Sequence, residues 1–195
     1  FNPANIAKTV DCYTRLKLPQ TAFIDPEILQ ASYLEQSKLH HPDHGGDPQI
    51  AASIHEAYEV LKAPEKRIKH LISLQNDPDL SAWRTVQMTL FSRVGALTQQ
   101  TKLQLDKILN AKGAIGRAVL TPQLLQTQQQ LESLNELLEV ALDDVEKQLL
   151  AWDSLPEKTS SDWQNLATIQ AELSYLQRWQ SQVKAMLLDV MTTLL

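Results

Sequence analysis

One short stretch concentrates side chains able to do chemistry: His40-His41-Pro42-Asp43-His44. Imidazoles donate, accept and ligate metals, and the Asp43 carboxylate is an acceptor only. A divalent-metal site would need His40 and His44 on one helical face, but Pro42 lies between them and interrupts any helix. A hydrolase built on His41 and Asp43 would need a nucleophile and a pocket, and the surrounding sequence offers neither. What remains is recognition by another protein. Pro42 fixes its own φ and stiffens the segment, while Gly45-Gly46 let the backbone turn away.

The elements around this stretch must hold it as a tip. Asp25-Pro26 and Asp47-Pro48 are matching helix starts: a carboxylate to accept the first-turn N–H groups, then a proline where a missing N–H costs nothing. The first of these helices is expected to stop near His40, because the residue before Pro42 is pushed out of the α region. Ile28, Leu29 and Leu39 are expected to share its buried flank. Ile50, Ile54, Ala57, Tyr58 and Leu61 give the second helix its apolar stripe. After Pro64 a further helical run carries Ile68, Leu71, Ile72 and Leu74, and a short helix over about residues 5–16 precedes everything.

Asn76-Asp77-Pro78-Asp79 reads as a domain boundary, giving domains at 1–75 and 76–195. Beyond it lie three amphipathic segments. The first carries Trp83, Val86, Leu90, Val94, Leu97, Leu105 and Ile108, fading at Gly113 and Gly116. Thr121-Pro122 is expected to open the second, with Leu131, Leu134, Leu138, Leu142, Val145 and Leu149. Ser161-Asp162-Trp163-Gln164 reads as a capping box opening the third, with Leu166, Ile169, Leu173, Leu176, Val183, Leu187, Val190 and Leu194. Each buried leucine contributes roughly 1.5–3 kcal/mol, so the stripes must pack on one another. The expected fold is all-α: an antiparallel helical hairpin followed by a three-helix bundle.

Bulk properties narrow the function. The 195 residues are 43% hydrophobic and 21% charged, which suits a packed globular chain. A net charge of −5 disfavours nucleic acid as a partner. The single cysteine, Cys12, rules out an intramolecular disulfide and a multi-cysteine zinc site, and fits a reducing compartment. No apolar run suggests a membrane span. The composition calls for no cofactor and no resident metal.

Leu39-His40-His41-Pro42-Asp43-His44-Gly45-Gly46-Asp47, then Ile54-His55-Glu56-Ala57-Tyr58-Glu59-Val60-Leu61 and Pro64-Glu65-Lys66-Arg67, resembles the J domain. The resemblance implies that His41, Pro42 and Asp43 engage a DnaK-type chaperone and stimulate its ATPase, the chain itself not being an enzyme. The family also uses a basic face on the preceding helix. Here Lys38 is the sole Lys or Arg between Asp25 and His40, against Glu27 and Glu35, so charge steering is expected to be weak.

No Gly/Phe-rich linker and no Cys-x-x-Cys region follows. Asp11-Cys12-Tyr13-Thr14-Arg15-Leu16-Lys17-Leu18-Pro19, Pro64–Leu74 and Glu172-Leu173-Ser174-Tyr175-Leu176-Gln177-Arg178-Trp179 resemble the HscB-type co-chaperones of iron–sulfur cluster assembly. That resemblance implies a DnaK/HscA-type chaperone and an iron–sulfur cluster scaffold protein as partners. It implies a client site at Leu90, Phe91, Val94 and Tyr175; the lack of an N-terminal cysteine-rich region points to a bacterial cytoplasm rather than a mitochondrial matrix. The acids that flank this site in the family fall here on Gly95, Thr98 and Lys102, so a different client is the alternative. Two further readings remain: Leu90 and Val94 as plain core, and an assembly protein with a degenerate J domain.

Overall fold

The computed structural model describes residues 11–41, 43, 45–75 and 88–194, and all regular structure among them is helical. The helices are α1 Cys12–Arg15, α2 Pro26–Leu39, α3 Pro48–Lys62, α4 Pro64–Ser73, α5 Met88–Leu109, α6 Gly113–Asp153 and α7 Ser160–Leu194. The all-α expectation holds. Ile6, Val10, Pro42, His44, the segment Asn76–Asp79, Trp83 and Val86 lie outside the described residues.

Asp25 and Asp47 start α2 and α3 as expected, while Asp11, inside the stretch 5–16 expected to be helical, is extended and caps α1 at Cys12. Asp11 accepts the Tyr13 N–H, Asp25 those of Glu27 and Ile28, and Asp47 that of Gln49. Contacts then fix the direction of α2 against α3. Tyr58 Oη donates to Gln30, Tyr33 Oη lies 3.3 Å from His55 Nδ1, and the rings of Tyr33 and Tyr58 stack at 4.2 Å. Residue numbers rise on one helix as they fall on the other, so the pair is an antiparallel hairpin.

Contacts divide the chain into two compact units, Phe1–Trp83 with Glu146–Ala171, and Arg84–Val145 with Glu172–Leu195. The first therefore includes the turn between α6 and α7, which a cut at 75/76 assigns to the other side. Its core holds Tyr13, Leu16, Ile54, Leu61, Ile68, Leu71 and Leu166, all fully buried. In the second unit Val94, Leu97, Leu124, Leu131, Leu134, Leu138, Leu176 and Val183 are buried along α5, α6 and α7. Gln100 on α5 reaches Thr127 and Gln130 on α6, Gln182 on α7 reaches Thr98, and Lys184 pairs with Glu139 at 3.8 Å. This is the expected three-helix bundle.

Three local expectations need correction. Ile28 and Leu39 are each 58% exposed. Leu29 and Gln36, two turns apart, face inward instead, which leaves Ile28 and Leu39 on the solvent side of α2. The second bundle helix does not open at Thr121-Pro122 but runs through it from Gly113. Pro122 forfeits one backbone bond, and Thr121 Oγ1 turns back to the Arg117 carbonyl at 3.0 Å. Finally, the capping box sits two residues before Ser161. Thr159 N–H and Oγ1 both donate to the Asp162 carboxylate at 2.8 and 2.6 Å, which holds this exposed acid below its ordinary pKa.

Candidate functional site

The tip of the hairpin is shaped by its own backbone. The His40 N–H closes α2 on the Gln36 carbonyl, and the Gly46 N–H donates to the His41 carbonyl at 3.0 Å, folding the loop back. Gly45 has φ +81°, the left-handed region that glycine takes without a Cβ penalty. Gly46 is required for a different reason: a Cβ there would lie 2.2 Å from the His40 carbonyl oxygen. The close approach of the Gly46 backbone to that of His40 thus depends on hydrogen at that position.

His41 and Asp43 are brought together at this tip and face water, with side chains 51% and 83% exposed. The Asp43 N–H donates to His41 Nδ1 at 3.2 Å, and the Asp43 carboxylate lies 3.5 Å from the same nitrogen. With Nδ1 accepting, the neutral ring carries its proton on Nε2. Lys38 is exposed in the last turn of α2. The imidazole and the carboxylate are both solvated, so each keeps hydrogen-bonding capacity open to water. Among the described residues no cluster of three His, Cys, Asp or Glu side chains could hold a metal ion.

Buried polar residues brace the unit behind the tip. Arg67, 4% exposed, donates through Nε to the Ala22 carbonyl at 2.8 Å and through a terminal nitrogen to the Leu61 carbonyl at 2.9 Å. Desolvation lowers its pKa, opposed by the nearby Tyr13 and Asp153. Asp153, from the end of α6, accepts the consecutive N–H groups of Ala22 and Phe23 at 2.7 and 2.8 Å. The loop between α1 and α2 is therefore held from both sides. His70 accepts the Cys12 N–H through Nε2 at 3.1 Å and stacks on Tyr13. Burial lowers the His70 pKa, against the opposing pull of Asp11.

The bundle presents a different kind of surface. Phe91 is 53% exposed, Leu90 and Tyr175 are half-buried, and Val94 is buried. Between Phe91 and Tyr175 stands Trp179, its ring 6.1 Å from the first and 6.0 Å from the second. Sequence reasoning did not single out Trp179, although its spacing of four from Tyr175 puts both on one side of α7. Phe91, Val94 and Trp179 line a cavity of about 310 Å³ together with Gly95, Thr98 and Lys102. The positions where acids were looked for are thus at the site, carrying no acid.

With this geometry in place, comparison with known proteins identifies the class. The DnaJ domain family matches residues 11–70. Two chaperone proteins of Arabidopsis thaliana, dnaJ 2 and dnaJ 3, are 40% and 38% identical to it over 65 residues. That is 33% of this chain and 15% of each relative, so the chain spans a small part of their length. Residues 11–70 therefore match the J domain. Over the whole chain the fold is that of the chaperone HscB from Vibrio cholerae, which superposes over 95% of this chain and 99% of its own with a TM-score of 0.50. At 20% identity the likeness is one of fold. No helix among the described residues is long and apolar enough to cross a membrane.

Proposed function

We propose that this protein is a co-chaperone that stimulates the ATPase of a DnaK/HscA-type chaperone and delivers a client to it. His41, Pro42 and Asp43, with Lys38 beside them, form the chaperone-binding element in residues 1–75, and residues 76–195 form the client-binding part. The client is an iron–sulfur cluster scaffold protein, docked at Leu90, Phe91, Val94 and Tyr175, in a bacterial cytoplasm. The supporting observation is the exposed His41–Asp43 pair on a loop locked by Gly46, at the end of an antiparallel hairpin within a J domain. The exposed Phe91, set against the buried Trp179 and beside the half-buried Tyr175, supports the client site, since exposed apolar groups mark contact surfaces.

Single-turnover ATP hydrolysis by the chaperone tests the first half. Intact protein accelerates hydrolysis and His41→Gln abolishes the effect. Folded intact protein that leaves the rate unchanged refutes the proposal and favours a degenerate J domain. Binding to a scaffold protein tests the second half: Phe91→Ala with Tyr175→Ala is expected to abolish it. A second reading, another client altogether, draws on Gly95, Thr98 and Lys102 at the site in place of acids.

A further inference from the structure

The cavity beside Phe91 is not isolated. A second cavity of about 530 Å³ begins at the same Lys102 and continues past Leu105 and Leu109 on α5 and Leu188, Asp189 and Thr192 on α7. The pairs Phe91–Trp179 and Thr98–Gln182 advance together along the two helices, so α5 and α7 run parallel and the cavities lie in one seam. From Phe91 to Leu109 that seam is about 27 Å long, at about 1.5 Å per residue.

Its lining carries apolar groups at both ends. Phe91 is 53% exposed at one end, and Leu109 and Leu188 are 73% and 66% exposed at the other. Three charges lie along it: Lys102 at the middle, where the cavities join, and Asp106 and Asp189 toward the far end. None has an ion-pair partner among the described residues. Covering an unpaired charge costs heavily unless the incoming surface supplies its opposite. The seam therefore dictates the charge order of whatever lies in it, as well as its apolar ends.

We propose that the α5–α7 seam binds a single amphipathic helix of the client, about five turns long, laid along the groove as a fourth helix on the bundle. That helix has apolar side chains near both ends, a carboxylate near its middle for Lys102, and a cationic group toward the end that meets Asp106 and Asp189. The proposal rests on Phe91 and Val94 being client contacts, and extends that contact by more than two turns.

Two synthetic helical peptides of about 18 residues with the same apolar pattern test it. One has a central glutamate and a lysine near one end, and the other has those charges reversed. Each is titrated into the full-length protein labelled for amide NMR. The first peptide is expected to bind about tenfold or more tightly than the second. It shifts amides across 91–109 and 179–193, and Lys102→Glu removes the preference. Equal affinities overturn the charge assignment. Shifts confined to 91–98 and 175–182 overturn the longer groove while leaving the client patch in place. The same amides shifting on concentration of the protein alone would give the seam to a second copy and overturn the proposal. Failure of the ATPase or scaffold experiments leaves these readouts unaffected, so the two ideas fail separately.

Discussion

Gly46 at the hairpin tip and Gly95 on the bundle face show two different kinds of surface. At Gly46 a Cβ would meet the His40 backbone at 2.2 Å, whereas at Gly95 it would meet nothing within 4 Å. The tip is small, polar and fixed by backbone contacts that admit no added atom. The bundle face is long and open, apolar at its ends and charged between them. A machine that must grip the same tripeptide each cycle needs the first kind of surface. A client recognised by the sum of its side chains needs the second, where affinity spreads over many contacts.

The sharpest way to break the contrast is Gly46→Ala. The obstructing atoms are backbone, so the loop must open to admit the methyl group. Chaperone stimulation is expected to fall to the level of His41→Gln, while the affinity for client stays within twofold or so. Single-turnover hydrolysis and client titration on the same sample check this. Full stimulation by the variant would mean that the loop geometry is not what the chaperone reads.

The next largest effect is expected behind the tip. Arg67→Met keeps the aliphatic stem but strands the Ala22 and Leu61 carbonyls, and is expected to cost about 3 kcal/mol. Asp153→Asn retains one acceptor of the two and is expected to cost about 1–2 kcal/mol. Urea midpoints give both values. If both variants match the parent, the loop between α1 and α2 is held by apolar packing alone.

These braces also mark where sequence reasoning stopped. The starts of α2 and α3 were legible because Asp-Pro acts on the next few residues. The apolar stripes of α6 and α7 were legible because burial follows a period of 3.6. Asp153, by contrast, meets residues 131 and 130 positions away, and nothing near it hints at a pair of waiting amides. Trp179 likewise gains its meaning from Phe91 on another helix. The misplaced start of α6 is a local misreading: Thr121-Pro122 looks like a helix start, yet the helix already runs from Gly113. His41 and Asp43 could be picked out because a tip carries its chemistry in consecutive residues, whereas a groove collects it from two helices.

A smaller effect is expected from pH. The His70 pKa is lowered in the folded protein, chiefly by burial, from an ordinary value of 6.5. The unfolded chain therefore binds this proton more readily than the folded one, and stability rises with pH through that window. The contribution is complete above about pH 6.5 and is lost as pH falls through the lowered value, when protonation also removes the acceptor for the Cys12 N–H. Urea unfolding of the parent and of His70→Gln, compared from pH 7.5 down to 5, is expected to show a steeper decline in the parent. Parallel curves would assign the acid sensitivity to other groups.

The smallest expected effect is also the most direct test of what the open face is for. Gly95→Ala replaces a costly helix residue with the most favourable one, and the added methyl group meets nothing in the unbound protein. It should raise stability by about 0.5–1 kcal/mol, read as a higher urea midpoint at unchanged slope. Yet Gly95 lines the cavity between Phe91 and Lys102, so the methyl group intrudes where a partner would lie. Client affinity should fall as stability rises. A variant more stable and equally good at binding would show that partners pass this stretch of α5 at a distance.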